Sequence, residues 1–310
     1  MKLSFSLLSL IVPAFILSLL TIGSCSKEKS TATDQQQQDV SFTSVEAEAQ
    51  GETAFNDVFD NAMGANNDVG IGGTGIFGRP EPGNSFYRLD SLPPCATVTI
   101  THSNTSNFFP VKIAIDFGTA GCSRPSDGHT RKGRIIIDYS NRLTIPGAIS
   151  TTTFENYYID NIKIEGTATI MNSSSQNSTP PTKQYKIDIT EGKISTPDGN
   201  YVEWNSHKTI TQTEGLVTPT IPKDDVFQIE GYANGRAQRE NLLVAWQSTI
   251  TTPLVKTFAC RWITQGTVKI DRASANTNNT WTGYLDYGNG NCDDIATATV
   301  NGVKRQISLH

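Results

Sequence analysis

The sequence predicts an all-β protein: an antiparallel β-sandwich or a pair of sandwich-like repeats, preceded by one short N-terminal helix. Three observations carry this. From Cys95 onward apolar residues recur at period two, most plainly where Phe109, Val111, Ile113, Ile115 and Phe117 alternate with Lys112, Ala114 and Asp116. Similar runs recur to the C-terminus, separated by turns such as Pro197-Asp198-Gly199-Asn200, with no helical period between them. Charged residues make up only 18% of the 310-residue chain, with Thr, Ser, Asn and Gly filling the difference, as in extracellular β-rich chains.

Taken in order, the chain opens with Lys2 and an apolar run from Leu3 to Ile22, interrupted by hydroxyl residues and Pro13. It closes on Ile22-Gly23-Ser24-Cys25, small residues leading into a cysteine. That is the order of a secretory signal. Pro13 and the small pair before Cys25 weigh against an uncleaved membrane span. Residues 1–24 are therefore expected to be removed and Cys25 to be the first, lipidated residue of the mature protein. Residues 25–42, including Gln35 to Gln38 in a row, read as a flexible tether. In the following segment, 43–94, Phe55, Val58, Phe59, Ala62 and Met63 have helical spacing and Gly64 stands at the C-cap position. Gly70-Ile71-Gly72-Gly73-Thr74-Gly75 matches the dinucleotide-binding spacing but lacks the strand before it and the helix after it, so it reads as a loop. No cofactor is expected.

The β body, 95–310, has candidate strands near 96–102, 109–117, 133–139, 152–170, 183–189, 200–206, 226–233, 242–250, 256–263, 266–271, 280–287 and 294–309. Its two ends match each other. Asp116-Phe117-Gly118-Thr119-Ala120-Gly121-Cys122 parallels Asp286-Tyr287-Gly288-Asn289-Gly290-Asn291-Cys292, and each is preceded by another cysteine, Cys95 or Cys260. A weaker match relates Ile189-Thr190-Glu191-Gly192 to Ile263-Thr264-Gln265-Gly266. Four cysteines admit three pairings. If the two cassettes fold alike, Cys95 pairs with Cys122 and Cys260 with Cys292. The chain-entropy model assigns about 3.5 kcal/mol to each loop of this size.

The combination of lipobox, polar tether, short helix and a β body with Asp-Phe-Gly and Asp-Tyr-Gly cassettes resembles uncharacterised lipoproteins of Bacteroidota. The resemblance implies a diacylglycerol thioether and an N-acyl chain on Cys25, and hence an extracytoplasmic protein anchored to the outer membrane. Multiple acyl chains give a durable anchor. In such lipoproteins an acidic cluster after the cysteine accompanies export to the surface. Only Glu28 is acidic in Ser26-Lys27-Glu28-Lys29, which leaves both the periplasmic and the surface face open. The resemblance implies no activity.

No motif supplies chemistry. The formal charge of −5, about −6 without Lys2, and the lack of a basic patch exclude nucleic acid as a partner. His102, His129, His207 and His310 have no metal-ligand spacing, and there is no nucleophile elbow. Glu155, Asp160, Glu203 and Asp225 are available carboxylates without a pattern. Asp286, Asn289, Asn291, Asp293 and Asp294 are oxygen-rich but lack the calcium-loop frame, so an Asx-rich turn is expected there and no metal. Trp204, Trp246 and Trp281 are candidates for stacking on a ligand, against the alternative of core positions.

The functional expectation is a non-catalytic, lipid-anchored envelope protein with a binding, adhesion or structural role, its partners the membrane and a glycan or an envelope protein. The alternatives are a carbohydrate-binding or glycan-processing accessory protein, marked by coplanar exposed tryptophans, and an envelope hydrolase, marked by facing carboxylates in a cleft.

Overall fold

The computed structural model describes residues 37–56, 95–103, 109–123, 129–175, 182–217, 224–257, 260, 262–273 and 280–309. Residues 37–56 form a helix, α1. The strands are β1 (Thr97–His102), β2 (Val111–Asp116), β3 (Cys122–Ser123), β4 (Thr130–Tyr139), β5 (Ile149–Ile159), β6 (Ile162–Asn172) and β7 (Lys183–Ser195). They continue as β8 (Tyr201–Glu214), β9 (Val226–Arg239), β10 (Leu242–Thr257), β11 (Ile263–Ala273), β12 (Thr280–Asn289), β13 (Ile295–Val300) and β14 (Val303–Ser308). All pair antiparallel in one continuous sheet whose order is the chain order, with the short β3 set beside β4. The sheet is open: β1 and β14 are its two edges.

Period-two burial puts one face of this sheet inside. In β2, Val111, Ile113 and Ile115 are buried while Lys112 is exposed, and β8 alternates in the same way from Val202 to Gln212. The strands do not run flat. Gly133 in β4 and Gly166 in β6 sit at register shifts with φ of 78° and 118°, and a Cβ on Gly133 would lie 1.9 Å from the Asn156 carbonyl oxygen. Only glycine permits that approach. The resulting bulges bend the long strands so that their buried faces turn toward a common interior.

That interior is filled by α1. Val45 packs over Gly283 in the space a Cβ there would need, and Phe55 stacks on Trp204 with ring centroids 5.6 Å apart. At the helix start, Arg305 of β14 lies over the Phe42 ring and pairs with Asp39 at 3.1 Å, which ties the last strand to the helix.

The helix also carries buried polar groups toward the sheet. Glu48 Oε2 accepts hydrogen bonds from the indole N–H groups of Trp204 at 2.9 Å and Trp246 at 2.7 Å, and Ser248 Oγ donates to Glu48 Oε1 at 2.7 Å. One turn on, the Lys208 ammonium pairs with Glu52, both side chains being almost fully buried, and it also lies over the Trp204 ring. Burial pushes the Glu48 carboxyl above its ordinary range, against the opposing pull of Lys208 and the hydrogen bonds from Trp246 and Ser248. These groups fix the helix in register, because sliding it by one residue would strand two indole donors and an ion pair in the core.

The all-β antiparallel expectation holds, and several boundaries are corrected. The segment 25–42 is not tether throughout, since α1 already includes residue 37 and Val40 and Phe42 are buried. The neighbouring serines, Ser41 and Ser44, are tolerated inside because a hydroxyl can donate to the helix backbone, as Ser44 Oγ does to the Val40 carbonyl at 3.2 Å. The run 152–170 is two strands, and the run 256–263 falls on the end of β10 and the start of β11. Val58, Phe59, Ala62, Met63, Gly64, the glycines 70–75, Cys25 and the apolar N-terminal segment lie outside the described residues.

Candidate binding cleft

In a meander every second turn emerges at the same end of the sheet. The β5–β6, β7–β8 and β9–β10 turns therefore cluster, and the C-terminal half of α1 runs beneath them. Between them opens a cleft of about 440 Å³. Its apolar lining comes from Ile159, Ile162, Ile164, Ile194, Val202 and Ala54. Its polar lining is Gln50, Thr53, His129, Asp160, Thr196, Asp198, Asn200 and Arg239. The volume lies within the range of small-molecule sites.

Local sequence builds each wall. Asp160 and Asn161 both take positive φ, 49° and 68°, giving the tight two-residue turn that suits a hairpin and that Asp and Asn tolerate. Asp160 Oδ1 then accepts the Thr130 amide at 2.8 Å while Oδ2 meets His129 Nδ1. Burial is the largest single influence and pushes the Asp160 carboxyl up, but the Thr130 amide, His129 and Arg131 together outweigh it and hold the group below the ordinary range. In the next turn Asp198 is hydrogen-bonded by the Thr196 hydroxyl and by the Asn200 side chain at 2.7 Å, and these bonds hold it low as well. Asn200 Oδ1 accepts the Glu240 amide at 2.7 Å and so joins the second turn to the third. Arg239 donates to Gln50 of α1, which links the third turn to the helix. The cleft is a braced structure rather than a gap between loose loops.

The structure sorts the sequence-predicted residues sharply. Cys95 is bonded to Cys122 and Cys260 to Cys292, the pairing expected from the self-match. The cassettes do fold alike: Asp116 accepts the Gly118 amide at 2.8 Å and Asp286 the Gly288 amide at 2.9 Å, with Phe117 and Tyr287 buried between. Trp204 and Trp246 are not a stacking platform. They are 2% and 3% exposed, and their indoles are committed to Glu48. Trp281 is partly exposed on β12, away from β8 and β10 in the strand order, so the three do not form one surface.

Of the available carboxylates, only Asp160 reaches the cleft. Glu155 pairs with Arg134, Glu203 with Arg236 and Lys193, and Asp225 accepts from Gln212 at 2.6 Å. In the oxygen-rich turn, Asp293 accepts the Ile295 amide and Asp294 the Ser308 hydroxyl. Among the described residues no group of three or more His, Cys, Asp or Glu side chains is placed to hold a metal.

Nothing in the sequence marks Gln50, Asp198, Asn200, Arg239 or the isoleucines as a site. The one usable signal was Asp160-Asn161 inside the 152–170 run, a dipeptide that favours a hairpin turn. Comparison of the chain with protein-family models, with curated proteins and with solved structures yields no match.

Proposed function

We propose that this chain is a lipid-anchored, non-catalytic binding protein of the cell envelope, held to the outer membrane through Cys25, with its ligand site in the cleft between α1 and the β5–β6, β7–β8 and β9–β10 turns. The observation that carries this reading is the cleft itself: an apolar pocket of ligand size whose rim groups are braced to one another. The lipobox sequence and the two disulfides support an extracytoplasmic setting.

A binding role is favoured over hydrolysis by the state of the two cleft carboxylates. A glycosidase acid must keep its proton near neutral pH, whereas Asp160 and Asp198 are both held below the ordinary range by hydrogen-bond donors. The burial of Trp204 and Trp246 likewise removes two of the three candidate residues for a sugar-stacking surface.

Two experiments test it. Cys25→Ser should abolish incorporation of labelled fatty acid and leave residues 1–24 attached. Undiminished incorporation of the label by the serine variant would overturn the anchor. Ligand capture should be lost in a cleft variant such as Arg239→Ala and kept in Trp281→Ala, and the reverse pattern would move the site to the β12 surface.

A further inference from the structure

The lining of the cleft is selective in its chemistry. Its apolar part is mainly branched aliphatic, from Ile159, Ile162, Ile164, Ile194 and Val202, and among the described residues its only ring is the His129 imidazole, which is tied to Asp160. Sugars and nucleobases are held by stacking on the broad faces of Phe, Tyr and Trp, which the described lining does not supply. A flexible hydrocarbon chain needs no such face and gains from each methylene removed from water. The rim adds a second constraint. It carries Arg239 together with Asp160 and Asp198, so a fully charged head group of either sign meets a like charge, while Gln50, Thr53, Thr196 and Asn200 offer neutral donors and acceptors.

Building on the reading of this cleft as the ligand site, we infer that it takes the chain of a single-chain aliphatic amphiphile with an uncharged polar head, the chain lying on the isoleucines and the head at the Gln50–Asn200 rim. The volume of about 440 Å³ suits one such chain rather than a two-chain lipid.

The experiment is calorimetric titration of the folded, disulfide-intact protein with glycerol 1-monoalkyl ethers of 8, 10 and 12 carbons, kept below their aggregation concentrations. The expected result is saturable one-to-one binding that weakens roughly fourfold for each methylene removed, as full burial of the chain requires. Dodecanoate and dodecyltrimethylammonium should each bind at least tenfold more weakly than the 12-carbon ether. Ile194→Trp, which fills the cleft from a half-buried position, should weaken ether binding at least tenfold while leaving circular dichroism and the thermal midpoint near those of the parent. Because that variant adds bulk, Ile194→Gln serves as a second probe and should weaken binding by loss of apolar contact alone.

A folded parent that binds none of the ethers, or binds them with no dependence on chain length, overturns the inference. If in that case a screened glycan or peptide binds and Ile194→Trp blocks it, the cleft stands as the ligand site and only the ligand class falls. If ethers bind but both Ile194 variants bind them equally well, the site is elsewhere, and the proposed cleft falls with the inference.

Discussion

Replacing Glu48 tests whether α1 is fixed in the sheet by a buried polar cluster. In Glu48→Ala the Trp204 and Trp246 indole N–H groups lose their acceptor in a region closed to water, and the Ser248 hydroxyl keeps only the longer bond to the Ala233 carbonyl. Each buried donor left unsatisfied costs about 1–3 kcal/mol, and the vacated carboxyl volume adds to the loss. The expected destabilisation is about 4 kcal/mol. Glu48→Gln is the decisive comparison, because its amide oxygen can still accept both indoles and its NH₂ can donate to Ser248, so its cost should stay near 1 kcal/mol.

The two variants should also differ from the parent in pH dependence. Burial raises the folded-state pKa of Glu48 above its unfolded value, so the folded chain binds that proton more tightly. Its contribution to stability therefore falls as pH rises from the unfolded value through the folded one, and then levels off. Glu48→Gln lacks that slope. The assay is urea unfolding followed by tryptophan fluorescence and far-ultraviolet circular dichroism at several pH values. A loss below about 1 kcal/mol in Glu48→Ala, or equal losses in the two variants, would refute the argument.

Three further outcomes follow from the fold. Gly133→Ala should cost about 3–4 kcal/mol, since its Cβ would collide with the Asn156 carbonyl, whereas Gly118→Ala, also at positive φ but with open space around it, should cost only about 1 kcal/mol; equal costs by chemical denaturation would remove the steric argument. Opening the Cys95–Cys122 loop with a double serine variant should lower stability by about 3.5 kcal/mol and speed amide exchange in β1, the edge strand it tethers, and unchanged exchange there would contradict that role. Burial, helped by Asp224 and opposed by Lys183 and Gln212, lifts Asp225 from 3.8 to about 6, so carbon-detected NMR should find it titrating there. Because the folded value is the higher one, its effect on stability should decline between about pH 4 and 6 and be absent in Asp225→Asn.

What was legible in the sequence was local. Period-two burial in Val111-Lys112-Ile113-Ala114-Ile115 reports which side of a strand meets the interior, and that is decided by neighbours along the chain. The Asp116 and Asp286 turns were legible because an Asx turn closes within two residues, and the matching cassettes carried the cysteine pairing with them. The tertiary structure decided everything that depends on distant partners. Nothing near Glu48 in the chain marks it as an acceptor for groups 156, 198 and 200 residues away. For Trp204 and Trp246 the sequence favours core positions over a stacking surface, but only the packing of α1 shows what holds them there, the Glu48 carboxylate. The cleft is of the same kind: three hairpin turns distant in sequence meet only because a meander returns every second turn to one end of the sheet, and α1, which precedes them all, closes the space beneath.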